Sequence, residues 1–135
     1  MRKAAMLVGM VAFLSVMLAS VALAVDKQCL HRPCQGTDNY DRLFERRAEG
    51  VGDTIYGRAG RDFVRADAYA QDTDLLYGNR GNDRLNANDN GSSENTPEDT
   101  LDTVYGGPGF DICIVDSRGE IGGGCEEVRV DPGEA

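Results

Sequence analysis

The sequence predicts an all-β solenoid, and three observations lead to it. A twelve-residue phrase, Asp-x-x-Tyr-Gly-x-x-Gly-x-Asp-x-apolar, occurs at 53–64 (DTIYGRAGRDFV), 74–85 (DLLYGNRGNDRL) and 102–113 (DTVYGGPGFDIC). Apart from one Tyr, its fixed residues are Gly, Asp and one apolar position, which is turn and cation chemistry rather than helix chemistry. Seven aspartates (Asp41, Asp53, Asp62, Asp74, Asp83, Asp102 and Asp111) follow one another at steps of 12, 9, 12, 9, 19 and 9 residues. Self-similarity at such a period means stacked coils, each burying its apolar side chain against its neighbours.

The first element lies outside that fold. Arg2 and Lys3 form a positive n-region, residues 4–21 carry no charge, and Ala22-Leu23-Ala24 is a small-x-small cleavage signature. The pattern predicts a secretory signal peptide over 1–24, with an uncleaved anchor as the rival. No lipobox precedes Cys29. Cleavage removes two bases and no acid, leaving 12 Lys and Arg against 23 Asp and Glu, a net charge of −11. Such a chain is a poor partner for nucleic acid or anionic membranes, both of which need cationic surfaces.

Next comes a short N-terminal cap, 25–35, with Cys29 and Cys34; a C-terminal cap and tail, 115–135, follows Cys113 and contains Cys125. In an exported chain four cysteines predict two disulfides, and three connectivities are open. Proximity favours Cys29–Cys34 and Cys113–Cys125, which staple the two ends. A zinc site is the alternative, but the spacing fits no common finger. Lone His31 cannot make a metal site by itself.

Between the caps, 36–114 is the repeat region. In a nine-residue frame the clear copies are 57–65, 78–86 and 106–114, and 36–44 (GTDNYDRLF) is a degenerate one. The copy GGPGFDICI fits Gly-Gly-x-Gly-x-Asp-x-apolar-x throughout. This pattern resembles the RTX, or haemolysin-type, calcium-binding nonapeptide. The resemblance implies a parallel β-roll of about three coils with disulfide-stapled ends, and calcium as its ligand. It implies metal ligands from the side chains of Asp41, Asp62, Asp83 and Asp111. Backbone carbonyls of Gly57, Gly60, Gly78, Gly81, Gly106 and Gly109 would complete the set. The second glycine is replaced by Thr37, Arg58 and Asn79 in three copies, and the fourth position is Asn39 in the first. Most RTX proteins leave by a route that needs no N-terminal signal, so the host interactions of toxin-type relatives do not carry over.

The aspartate steps add detail. The longer ones always fall on the same half of the coil, so Asp41, Asp62, Asp83 and Asp111 should stack on one regular edge. Asp53, Asp74 and Asp102 should line the opposite edge, whose loops carry insertions and should bind less calcium or none. The inward ladder should be Leu43, Ile55, Val64, Leu76, Leu85, Val104 and Cys113. Such a core is thin: each fully buried aliphatic contributes roughly 1.5–3 kcal/mol, against about 1–2 kcal/mol of backbone entropy per ordered residue. Metal and disulfides must supply the remainder.

The rival chemistries are weaker. Residues 86–91 (NANDNG) superficially resemble an EF-hand loop, but Pro97 stands where the bidentate Glu is required. The segment 86–101 instead predicts an exposed insertion, in which Asp89, Glu94, Glu98 and Asp99 are solvated rather than cation-binding. Tyr56, Tyr77 and Tyr105 occupy equivalent positions and should form a stacked column that holds coil register; a sugar-binding stripe is the alternative use. Catalysis by a Ser–His–Asp or Cys–His arrangement would have to use His31, and paired carboxylates have no evident cleft. The sequence therefore predicts a secreted, extracellular, non-enzymatic protein whose folding is coupled to calcium. The alternative is a carbohydrate-active enzyme or exopolysaccharide-binding module using the tyrosine edge.

Overall fold

A computed structural model describes residues 24–30, 33–45, 52–66, 72–88 and 102–131. Short strands dominate: β1 (Asp26–Cys29), β2 (Cys34–Gln35), β3 (Arg42–Glu45), β4 (Thr54–Gly60), β5 (Phe63–Arg65) and β6 (Leu75–Gly81). They continue as β7 (Arg84–Asn86), β8 (Thr103–Tyr105), β9 (Ile112–Val115), β10 (Ile121–Gly123) and β11 (Glu127–Val130). Odd-numbered strands form one sheet in the order β1-β3-β5-β7-β9-β11, and even-numbered strands a second, β10-β8-β6-β4-β2. Every pairing is parallel. The chain therefore alternates between two sheets as it advances, which is a parallel β-roll. Successive coils are 21 residues apart at Asp41, Asp62 and Asp83, and 28 apart at Asp111, where the 86–101 segment intervenes.

The roll is longer than the repeat alone implies. β1 and β2 fall in 25–35, and β10 and β11 fall in 115–135, so both end segments add strands to the sheets. Parallel pairing needs only backbone in register, and a sheet left open at either end would present unpaired N–H and C=O groups. Residues 1–23 of the expected signal peptide, His31 and the insertion beyond Asn88 lie outside the described residues. No helix among the described residues is long and apolar enough to cross a membrane.

The interior follows the pleat, because alternate residues of each strand point inward. One column runs Leu43, Val64, Leu85, Cys113 and Val128; the other runs Cys34, Ile55, Leu76, Val104 and Ile121. All seven residues expected in the inward ladder have no exposed surface. A further buried row, Ala66, Ala87 and Val115, sits two residues after the ladder position at the corner of the coil. Its signal was the same period of two continued one step further.

Disulfides link Cys29 to Cys34 and Cys113 to Cys125, the local pairing expected. The tyrosines stack as expected too. Tyr56 and Tyr77 have ring centroids 4.9 Å apart and Tyr77 and Tyr105 5.0 Å, with interplanar angles of 13° and 4°. A Cβ on Gly122 would fall on the Tyr105 ring, so backbone closes the end of that column.

Candidate metal centre

Each regular-edge turn leaves a strand of the second sheet and enters one of the first, and its aspartate stands just before the receiving strand. Burial of these aspartates is near complete: Asp41, Asp62, Asp83 and Asp111 are at most 2% exposed. They form a ladder. The Asp41 N–H donates to Asp62 Oδ1 at 2.9 Å, Asp62 N–H to Asp83 Oδ1 at 2.7 Å, and Asp83 N–H to Asp111 Oδ1 at 2.7 Å. Val25 N–H closes one end on Asp41 Oδ1 at 2.7 Å, and Glu126 Oε2 closes the other by accepting Asp111 N–H at 2.8 Å.

The ladder uses one oxygen of each carboxylate. Oδ2 of Asp62, Asp83 and Asp111 is buried and accepts no hydrogen bond. A buried carboxylate oxygen without a donor is costly and calls for a proton or a cation. Burial accordingly raises Asp62 to about 7 and Asp83 to about 6, partly opposed by the ladder hydrogen bonds and reinforced by neighbouring carboxylates. Asp111 is raised for the same first cause, with Glu126 adding to it.

Each orphan oxygen shares a cradle with a carbonyl from the next coil. The position a Cβ would take on Gly57 lies 2.6 Å from Asp62 Oδ2 and 2.8 Å from Gly78 O. On Gly78 it lies 2.5 Å from Asp83 Oδ2 and 2.6 Å from Gly106 O. On Gly106 it lies 2.7 Å from Asp111 Oδ2 and also meets Gly124 O. Only glycine leaves that space open. The donors are all oxygen, one charged and one neutral, which fits a hard cation such as calcium.

Asp41 is built differently. The position of a Gly36 Cβ lies 2.5 Å from Asp41 Oδ2 and 2.6 Å from Gly57 O. Its Oδ2, however, already accepts the Thr37 N–H and the Thr37 hydroxyl, the latter at 3.0 Å. Thr37 replaces the second glycine of the motif and satisfies the carboxylate itself. The carbonyls of Gly57, Gly78 and Gly106 are thus brought to the aspartates. Those of Gly60 and Gly81 instead occupy the space a Cβ would take on Gly81 and Gly109, one coil on. Gly124 and Glu126, a last turn supplying a carbonyl and a carboxylate, were not foreseen; the run Gly122-Gly123-Gly124 before the acid was their signal.

In the three clear copies the motif's second position has positive φ: 89° at Arg58, 71° at Asn79 and 112° at Gly107. Asn tolerates that region, whereas Arg is strained there by about 1–3 kcal/mol. Arg58→Gly is therefore expected to raise stability by about 1 kcal/mol after glycine's own entropy cost, read as a higher Tm in saturating calcium. A lower Tm would show that the Arg58–Asp38 ion pair, 3.6 Å long and exposed, outweighs the strain.

A family model described as the RTX calcium-binding nonapeptide repeat (4 copies) matches residues 52–68 and 71–90. These two segments are RTX repeats. RTX calcium-binding repeats bind calcium, in keeping with the all-oxygen cradles above. The matched segments hold two of the three full phrases, with Asp62 and Asp83 inside them. No curated protein and no solved structure gives a significant match to the chain.

Proposed function

We propose that this RTX-repeat chain is an exported calcium-binding module whose folding depends on the metal, acting as a structural or interaction element of the cell exterior. The observation that carries the proposal is the set of buried, donorless Oδ2 atoms of Asp62, Asp83 and Asp111, each beside a glycine carbonyl of the following coil. Those aspartates would hold the ion together with the carbonyls of Gly78, Gly106 and Gly124. Bound calcium would supply the positive charge that the stacked carboxylates lack. Gly60, Gly81 and Gly109 keep the turns close enough for that. Asp41 and Gly57 form the weakest of the stations, because Thr37 already occupies the carboxylate.

The two disulfides support an oxidising compartment, and the N-terminal leader pattern supports export through a cleaved signal peptide. We assign no catalytic role. Stacking covers both faces of Tyr77 and one face each of Tyr56 and Tyr105, which leaves little ring face for a sugar.

Titration calorimetry of two isosteric variants tests the assignment. Asp83→Asn keeps the ladder acceptor but removes the charge, and is expected to bind fewer calcium ions than the unaltered chain. Asp41→Asn should lose much less. Equal losses, or none at either position, would sink the assignment of the ions to these carboxylates.

A further inference from the structure

The inserted edge was expected to bind less calcium or none, since its loops carry insertions. Its ladder is nevertheless built like the first. Asp53 N–H donates to Asp74 Oδ1 at 2.6 Å, and Asp74 N–H donates to Asp102 Oδ1 at 2.8 Å. Asp74 is fully buried, and its Oδ2 accepts no hydrogen bond. Beside it stand Glu45, the last residue of β3, and Asp72, which is 4% exposed. One carboxylate oxygen from each of the three lies within 4.8 Å of those from the other two. Burial first, and then these same two neighbours among others, raise Asp74 to about 7.

The sequence frame explains why carboxylates gather here. Gly60, Gly81 and Gly109 stand two residues before Asp62, Asp83 and Asp111; two residues before Asp74 stands Asp72. A side-chain oxygen thus replaces a glycine of the regular turn, and Glu45 adds another from the previous coil. We propose that Glu45, Asp72 and Asp74 form a calcium site on the inserted edge, independent of the glycine turns. Three carboxylates and no nitrogen or sulfur donor select a hard divalent ion, and their flexible oxygens suit calcium better than magnesium's tight octahedron. The ion would tie the exit of β3 to the entry of β6, bridging two coils across loops that no glycine motif closes.

Calorimetric calcium titration of the disulfide-intact exported chain tests the site. The isosteric double variant E45Q/D72N is expected to bind one calcium fewer than the unaltered chain. Combining it with Asp83→Asn should add the two losses, since the edges are separate. Circular dichroism in saturating calcium checks that each variant is folded. Should the double variant fail to fold, the single Glu45→Gln at a half-exposed strand end is judged by the same loss. Unchanged stoichiometry and affinity in E45Q/D72N, with the Asp83→Asn loss intact, would overturn the inserted-edge site alone. A wild-type chain that binds no calcium would overturn both edges.

Discussion

In excess chelator at about pH 8 the chain is expected to lose most of its β signal, and ~10⁻³ M calcium to restore it, with magnesium much less effective. The ladder brings buried carboxylates of one sign into register, and the interior offers only one or two modest side chains per strand to oppose them. A site absent from the unfolded chain makes binding energy into folding energy. Protons should partly replace the metal. Asp62, Asp74 and Asp83 are raised from their ordinary 3.8 to about 7, 7 and 6, so the folded chain holds protons that the unfolded chain has released. Metal-free stability therefore falls as pH rises from about 4 to about 7. Lowering the chelated sample to about pH 5 should recover part of the β signal and shrink the calcium-induced gain. Full β signal and an unchanged Tm in chelator at about pH 8 would uncouple folding from calcium.

The second large effect is expected from Gly81→Ala. Gly81 has φ of +139°, and a Cβ there would land on the Gly60 carbonyl oxygen, which is backbone and cannot rotate away. The contact lies where β4 and β6 pair Gly60 with Gly81, so the new methyl would force two coils apart between the turns of Asp62 and Asp83. Strain and overpacking together should cost roughly 3 kcal/mol or more. The same variant should weaken calcium binding, because the separated turns no longer present carboxylate and carbonyl to one ion. Thermal melts with and without calcium would read both effects. Gly123→Ala is the control, since its Cβ would meet nothing although its φ is also positive. Equal destabilisation by the two would attribute the effect to backbone conformation rather than to coil stacking.

Much of this was legible in the sequence because the repeat records its own geometry. The period of two within each short strand marked Leu43 through Cys113 as inward, and the alternating aspartate steps separated the two edges. The roll's true length was hidden, because β1, β2, β10 and β11 pair through backbone and carry no full motif. The closed state of Asp41 was hidden too: whether Thr37 satisfies a carboxylate depends on its local backbone conformation and side-chain rotamer, not on spacing. On the inserted edge the glycine frame was a misleading guide. Glu45 and Asp72 lie 27 positions apart, and only coil stacking brings them together.

The aspartate ladder also has a polarity. Each rung is an N–H of one coil held by a carboxylate of the coil after it, from Val25 on Asp41 through to Asp111 on Glu126. The two ends of the roll are therefore not equivalent. Removing the first coil leaves an unpaired carboxylate acceptor on Asp41, while removing the last leaves an unpaired N–H donor on Asp111. Glu126 sits beside Cys125, whose bond to Cys113 fixes that final rung in place. The stack thus ends on a carboxylate that the carboxyl-terminal segment supplies and a disulfide holds, whereas its amino-terminal end begins on a backbone N–H.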